Sequence, residues 1–210
     1  MRFLCLAVLA LVCSASGYAS PNCERADIAE LCTLAKETRA DNPEFGAQGQ
    51  WTTAALQERS QRHATRRKRA VDILNDVANP TWRDLYNAGY AIFYGETPEE
   101  RLLAHAIAIR ALSLAPDEPE ARHFVAMTFD KIGRSYVGAQ LYGRQKFFKL
   151  NPATSEVESS CLPQMIDPPL PASVGTAFEA WPKGFDRCPK GVGEIPQARP
   201  IGDEPGKTTR

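Results

Sequence analysis

The sequence predicts a mainly α-helical protein, in which an antiparallel helical domain is followed by a Pro-rich irregular C-terminal segment. Apolar side chains recur at helical spacing through residues 20–150, where Ala, Leu and Arg are frequent. Ten of the 16 prolines lie in residues 151–210, where they preclude long regular helices. With 210 residues, of which 43% are hydrophobic, the chain is large enough for one domain with a real core.

The chain begins with a predicted secretory signal peptide, residues 1–19. Arg2 supplies a positive charge, Phe3 to Val12 form an apolar run, and small residues lead to a cleavage position after Ala19. This run is shorter than the about 20 apolar residues that a transmembrane helix needs. We therefore expect a secreted or periplasmic protein with no transmembrane segment after signal cleavage. The predicted divisions that follow are a helical domain (20–150), an irregular Pro-rich extension (151–188) and a disordered tail (189–210).

Periodicity and capping signals predict five helices in the helical domain. Apolar stripes at i, i+3, i+4 and i+7 place the first over residues 22–39 and the second over 53–78, which Asn79-Pro80 ends. The third helix is capped by Thr81-x-x-Asp84, and the fourth opens at the capping box Thr97-Pro98-Glu99-Glu100. A fifth begins at Asp117-Glu118-Pro119-Glu120. Small residues on the fourth helix predict its close packing on a neighbour: Ala104, Ala108 and Ala111.

Glycines change the pattern near the end of the helical domain. Gly133, Gly138 and Gly143 recur every five residues, and each would cost about 1 kcal/mol relative to alanine inside a helix. We therefore predict a mostly irregular stretch over residues 133–145, with short strands over 146–150 and 155–161. The segments that end at Pro116 and Pro152 align at a spacing of 36 residues and resemble the close of a tetratricopeptide repeat. The helical domain is accordingly expected to be tetratricopeptide-like in its helix pairing.

Four cysteines remain after signal cleavage, and an even number in an oxidising compartment suggests two disulfides. Cys23 and Cys32 are nine residues apart, which is about 13.5 Å along one straight helix and beyond disulfide reach. Either a bend separates these two, or each pairs elsewhere. The preferred prediction is a Cys161–Cys188 bridge, because both residues lie in a stretch with few other ordering devices.

A basic stretch within residues 59–69 has two interpretations. Six basic side chains lie in this stretch, and together they can form an anion-binding or nucleic-acid-binding surface. They are Arg59, Arg62, Arg66, Arg67, Lys68 and Arg69. However, no aromatic residues interleave, and Lys+Arg and Asp+Glu both number 25, so a solvated helix face is favoured and no nucleic-acid partner is expected. The apolar stripe extended backwards from Ala70 passes through this stretch, so some of its polar side chains are expected to point inward: Arg66 or Arg67, and His63.

The three histidines show no metal-ligand spacing, and no P-loop, dinucleotide or nucleophile motif is present. The sequence predicts no metal and no cofactor. His105 lies on the inner face of the Ala-rich fourth helix. It is interpreted either as a hydrogen-bonded core histidine or as a general base near neutral pH.

The densest polar cluster joins Asp130-Lys131 to a loop from Gln140 to Gln145. Two amides and the phenol of Tyr142 in such a loop can fix a polar ligand. They can equally satisfy buried backbone groups that the loop leaves unpaired. Both interpretations stay open at this point.

Three elements between residues 84 and 145 share a specific spacing: Asp84-Leu-Tyr-Asn-Ala88 with Tyr94-Gly95, Ala104-His105-Ala-Ile-Ala108, and Asp130-Lys131 followed by Gln140-Leu-Tyr142-Gly-Arg144-Gln145. This pattern resembles an uncharacterised, mostly bacterial helical family. In that family D-[YF]-x-x-A-x-x-F-Q-H-G precedes an A-H-x-L-A helix and then D-R, ten residues upstream of Q-x-[YF]-G-T-Q. The departures from that pattern include Tyr94 for His, Lys131 for Arg, Ala139 for Pro and Arg144 for Thr. The resemblance implies that five residues belong to one constellation: His105, Asp130, Gln140, Tyr142 and Gln145.

The sequence favours a binding or scaffold function over catalysis. A protein or peptide would lie against the paired helices or the 130–145 loop, and Arg144 would add a charged contact at the loop rim. The alternative is a metal-free hydrolase, in which His105 is the base, Asp130 its orienter or a second acid, and the loop residues Gln140, Tyr142 and Gln145 are donors. A third option is a structural function in envelope assembly, with the Pro-rich tail as a tether.

Overall fold

The computed structural model describes the following parts of the chain: residue 23 and residues 28–41, 53–145, 147–150, 157–161 and 171–178. Within them lie six helices and one two-stranded ribbon: α1 (Ala29–Ala40), α2 (Thr53–Asp76), α3 (Trp82–Ile92), α4 (Pro98–Leu114), α5 (Pro119–Val137), β1 (Phe147–Leu150), β2 (Val157–Cys161) and α6 (Ala172–Ala177). The protein is mainly α-helical, as predicted. The predicted signal peptide and the predicted disordered tail lie outside the described residues.

Helix α3 is the centre of the fold and packs against α1, α2, α4 and α5. The predicted cap is confirmed: Thr81 and Asp84 form a reciprocal capping box at its start. Asp84 also accepts a hydrogen bond from the backbone N–H of Ile28 at 3.0 Å, which fixes the start of α1 against the start of α3. Every residue from Asp84 to Ile92 is buried, so the two apolar clusters of the core meet along this helix.

Helices α4 and α5 cover the side of α3 that carries Gly89. The capping box of Thr97 and Glu100, with Pro98 in the first turn, opens α4 as predicted. A Cβ atom at Gly89 would lie 2.7 Å from Cε1 of the buried Phe124 and 3.1 Å from Cγ2 of Ile107. The absence of a side chain here therefore lets three helices approach closely. The predicted close-packing residues of α4 are all buried: Ala104, Ala108 and Ala111.

The prediction of an irregular stretch from residue 133 is wrong for its first five residues, because α5 continues to Val137. Gly133 lies inside this helix since the chain turns back onto it: a Cβ atom there would lie 2.8 Å from the carbonyl oxygen of Ala139. The glycine thus permits a long-range backbone contact, which outweighs its low helix propensity. Gly138 ends the helix with φ 71°, and Gly143 has φ 73° in the loop, both values that favour glycine.

The two predicted strands are confirmed as β1 and β2, which pair antiparallel with Phe147 opposite Cys161 and Leu150 opposite Val157. The segment that ends at Pro152 is therefore not a second copy of the helical segment that ends at Pro116. The apparent 36-residue repeat joins a helix end to a strand, so it does not reflect repeated helical units. The tetratricopeptide-like pairing of the helices stays a prediction.

A disulfide joins Cys23 to Cys32, with their Cα atoms 5.4 Å apart. The prediction of one helix from residue 22 is wrong at its start, because α1 begins at Ala29. Of the two options that the sequence left open for this pair, the bend is correct. Cys188 lies outside the described residues, so the Cys161–Cys188 bridge stays a prediction.

The basic stretch of α2 faces α1 and is neutralised there. Arg66 donates to Glu37 at 3.0 Å and to Asp41 at 2.6 Å, and Arg62 donates to Asp41 at 3.0 Å. Burial raises the pKa of Asp41, but the hydrogen bonds from Arg62 and Arg66 outweigh it and hold that pKa at about 2. Two further ion pairs tie the same stretch to α1 and α4: Arg69 with Glu30 and Arg67 with Glu100.

The expected inward-pointing side chains of this stretch are present. Arg67 and His63 are buried, whereas Lys68 is exposed and pairs with Asp72 on its own helix. Burial, reinforced by the nearby Arg66, lowers the pKa of His63 to about 4. The stretch is consequently part of the contact between helices rather than an open cationic surface.

Asn87 on α3 provides a test of the core. Its side chain is fully buried, and neither its amide nitrogen nor its oxygen has a hydrogen-bond partner. We expect Asn87→Leu to raise the free energy of unfolding by about 1–2 kcal/mol, because it replaces two desolvated polar atoms by methyl groups on the same branched side-chain skeleton. Urea unfolding measures this. The matched control is Asn75→Leu at an exposed position of α2, for which a change within about 0.5 kcal/mol is expected. A loss of stability in Asn87→Leu alone would contradict the argument.

Candidate functional site

Asp130, in the second half of α5, holds the loop of residues 139–145 in place. One of its carboxylate oxygens accepts from the backbone N–H of Leu141 at 2.7 Å and of Tyr142 at 2.8 Å. The other accepts from the backbone N–H of Arg144 at 2.7 Å. The carboxylate is fully buried, so these three donors replace the water that it loses. Asp130 therefore satisfies loop backbone groups, which is the second of the two interpretations of the cluster.

The two glutamines of the loop also contact each other. The side-chain oxygen of Gln140 accepts from the backbone N–H of Gln145 at 2.9 Å, and the side-chain nitrogen of Gln145 donates to the carbonyl of Met127 at 3.1 Å. Gln140 is fully buried, and its side-chain nitrogen has no hydrogen-bond partner. The loop is thus closed by its own side chains, with one buried donor left over.

Burial dominates the electrostatics of this cluster. It raises the pKa of Asp130, against the opposing effect of the three backbone N–H groups that stabilise the carboxylate. Burial and the nearby Asp130 together raise the pKa of Tyr142. Burial and the positive charge of Arg144 lower the pKa of His123 to about 4. His123 is therefore neutral at pH 7, and it lies on α5 near the same loop.

His105 on α4 has one defined hydrogen bond, which it makes to α5. Its Nδ1 lies 2.9 Å from Oγ1 of Thr128. That hydroxyl donates its single hydrogen to the carbonyl of Phe124 or Val125, each at 3.0 Å. His105 must then donate from Nδ1, which leaves the lone pair of Nε2 as an acceptor on the neutral ring. Burial lowers the pKa of His105, so this neutral form predominates at pH 7.

The structure brings only part of the predicted constellation together. Asp130, Gln140, Tyr142 and Gln145 belong to one network, but the hydrogen bond of His105 goes to Thr128 and not to Asp130. His105 is linked to the loop through rings: its centroid lies 5.7 Å from that of Phe129, which lies 5.8 Å from that of Tyr142. Asp130 therefore does not orient His105.

Arg144 contacts a segment that sequence reasoning did not connect to the loop. Its guanidinium donates to the carbonyl of Phe178 at 2.9 Å, and the ring of Phe178 lies 5.2 Å from that of Tyr142. Residue 178 directly follows α6. The expected charged contact of Arg144 at the loop rim is thus made within the chain. No sequence signal identifies Phe178 or Thr128 as neighbours, because both contacts depend on tertiary packing.

Helix α4 carries four apolar side chains that the described part of the chain leaves exposed. Leu102, Leu103 and Ile109 are 51%, 41% and 51% exposed, and Leu114 is 43% exposed. At about 100° per residue, Leu102 and Ile109 lie on the side of α4 opposite the buried alanines, whereas Leu103 and Leu114 lie together about 110° further round, with the exposed Arg110 between the two pairs. Leu102 and Ile109 lie three residues before and four residues after His105 and therefore flank it on the helix. Clustered exposed side chains of this kind mark interaction surfaces more often than scattered ones do.

Comparisons with family models, curated proteins and solved structures returned no match to this chain. Among the described residues, no three His, Cys, Asp or Glu side chains converge as a metal site would require. No helix in the described ranges combines the length and apolar character needed to cross a bilayer.

Proposed function

We propose that the protein is an exported helical binding or scaffold protein, whose ligand is another protein or a peptide. The observation that carries this proposal is the exposed apolar pair of Leu102 and Ile109, which lie together on one side of α4 beside His105. Exposed leucine and isoleucine on one helix face favour association with an apolar face of a partner. The surface continues through His105 and Phe129 to Tyr142, whose ring contacts were given above.

The disulfide between Cys23 and Cys32 supports the export part of the proposal. Disulfides persist in extracellular and periplasmic compartments and are rare in the reducing cytosol. The balance of 25 basic and 25 acidic residues also favours an apolar protein interface over nucleic-acid binding.

Photocrosslinking tests the α4 surface. A benzoylphenylalanine in place of Ile109, irradiated with the exported proteins of the source cells, is expected to form one dominant adduct. Leu102→Glu in the same chain should lower its yield at least about tenfold, since a buried charge at the interface opposes binding. Because Leu102 is half exposed, its replacement should change the free energy of unfolding by less than about 0.5 kcal/mol.

The matched control places the same photoreactive residue at the exposed Asn75 of α2. Competition with unlabelled wild-type protein should remove the Ile109 adduct, and competition with the Leu102→Glu protein should not. Equal adducts at both positions, or an adduct that Leu102→Glu leaves unchanged, would contradict the proposal.

A metal-free hydrolase is the second candidate, favoured by the free Nε2 acceptor of the neutral His105. In this case Thr128, rather than Asp130, orients the ring. Hydrolysis of p-nitrophenyl acetate is then expected to rise with pH through a pKa below 6.5 and level off by pH 7. His105→Gln should abolish the rate above background, and His123→Gln should leave it unchanged. Equal rates for wild type and His105→Gln would exclude this mechanism.

A further inference from the structure

We infer that the segment of residues 179–188 docks on α4 over Leu102 and Ile109, and that a partner protein must displace it. This inference rests on the proposed function, because it concerns the regulation of the same surface. The segment lies outside the described part of the chain and directly follows Phe178. Docked on α4, it keeps the two exposed apolar side chains from water while no partner is bound.

Phe178 fixes the point from which this segment starts. It packs against the aromatic core cluster, and its ring centroid lies 5.2 Å from that of Tyr142. Its carbonyl accepts a hydrogen bond from the guanidinium of Arg144 at 2.9 Å. Asp130 binds the backbone N–H groups of both loop residues, so the start of the segment is anchored to α5 through the loop.

A row of rings joins this starting point to α4. From Phe178 the row passes through Tyr142 and Phe129 to His105, with steps of 5.2, 5.8 and 5.7 Å between ring centroids. The exposed apolar pair flanks His105 on α4. An extended chain spans about 3.3 Å per residue, so ten residues span about 33 Å. The segment is therefore long enough to reach His105 and to pass along the apolar pair.

The segment carries side chains that match the pair. Its two large apolar residues are Trp181 and Phe185, which lie among small and charged residues. Four extended residues span about 13 Å, and the seven residues from Leu102 to Ile109 span about 10.5 Å along α4. The two aromatic side chains can therefore contact both aliphatic side chains at once, and aromatic side chains bury a large apolar area.

Attachment to the same chain favours this segment over a separate protein as the resting occupant. A tethered segment is present at an effective concentration of roughly millimolar, so two apolar contacts are enough to hold it. The contact is weak in absolute terms, and a partner with a larger apolar face displaces it. The segment thus sets a minimum affinity that a partner must exceed, which disfavours non-specific association.

Photocrosslinking of the purified mature chain, with no other protein present, tests this inference. The benzoylphenylalanine again replaces Ile109, and the digested product is mapped by mass spectrometry. The dominant adduct is expected within one chain, between position 109 and a fragment that contains Trp181 or Phe185. Trp181→Ser/Phe185→Ser should lower its yield at least about tenfold. The matched control is Ile195→Ser/Ile201→Ser, which removes two apolar residues later in the chain and should leave the yield unchanged.

The same variants test displacement by a partner. With the exported proteins of the source cells, Trp181→Ser/Phe185→Ser should raise the yield of the partner adduct at position 109 at least about twofold, because the segment no longer competes. The Ile195→Ser/Ile201→Ser protein should give the wild-type yield.

Several outcomes would overturn the inference. An absent intramolecular adduct, one that maps outside residues 179–188, or one that a photoreactive residue at Asn75 gives equally would mean that the segment does not dock on α4. Loss of cooperative thermal unfolding in Trp181→Ser/Phe185→Ser would make these residues part of the core rather than a displaceable cover. A partner adduct that this variant leaves unchanged would show that the segment does not compete. Failure of the proposed function is distinguishable, since no partner adduct then forms with either protein while the intramolecular adduct persists.

Discussion

Asp130→Ala is expected to lower the free energy of unfolding by about 4 kcal/mol. A hydrogen bond to a charged acceptor contributes about 1.5–3 kcal/mol, and this carboxylate accepts three from the backbone of the 139–145 loop. The estimate is below the sum of three such bonds, because a released loop regains water as a partner. Urea unfolding at pH 7 measures the effect.

The control for this change is Asp76→Ala at the exposed end of α2, for which we expect less than about 0.5 kcal/mol. Asp130→Asn keeps the side-chain volume but only one acceptor oxygen. The stability that it loses should therefore lie between the losses expected for Asp76→Ala and Asp130→Ala. A cost below about 1 kcal/mol for Asp130→Ala would show that the loop does not depend on this carboxylate.

The second large effect is loss of stability in mild acid, caused by buried histidines. The pKa of His123 is lowered from 6.5 to about 4 in the folded protein, by burial and by Arg144. Below pH 6.5 the unfolded chain binds a proton that the folded chain excludes, so stability falls as pH falls from 6.5 to 4. One pKa unit is worth 1.36 kcal/mol, which gives about 3 kcal/mol for His123 when the transition is complete.

His63 adds a loss of the same sign, because its pKa is also lowered to about 4. Asp41, with its pKa lowered from 3.8 to about 2, loses its contribution only below pH 3.8, so the two effects occupy different pH windows. Asp130 has the opposite effect on stability as the pH falls, since burial raises its pKa and the folded chain then binds a proton more readily than the unfolded chain.

Free energies of unfolding between pH 7 and pH 4.5 measure the histidine effect. His123→Gln should flatten the decline relative to its own value at pH 7, and His63→Gln should flatten it further. The control is Gln57→His, which places a histidine on the exposed part of α2 and should add no slope. Identical pH profiles for wild type and His123→Gln would contradict the assignment.

The sequence predicted correctly those helix ends that depend on residues close together in the chain. The capping boxes at Thr81 and Thr97 are present, because a cap involves residues only three positions apart. The end of α5 was predicted wrongly, since Gly133 is required by the carbonyl of Ala139, which reaches it only after the chain reverses. Propensity describes a residue in isolation, and here a tertiary contact outweighs it.

The same distinction between local and tertiary contacts applies to the candidate site. The family resemblance implied that Asp130, Gln140 and Gln145 belong together, and these residues do form one network. The hydrogen-bond partner of His105 was not predicted, because Thr128 reaches it only through the packing of α4 on α5. The same holds for Phe178, which lies 34 residues from Arg144 in the chain.

The central position of α3 has a consequence for the order in which the core assembles. Tyr86 and Tyr90 on α3 pack on Phe124, whose ring centroid lies 5.0 Å and 6.3 Å from theirs, so this half of the core cannot close without α5. Until then the earlier helices expose apolar surface that favours wrong contacts. The aromatic side of α3 is therefore expected to become protected only once α5 has docked on it, wherever the chain folds.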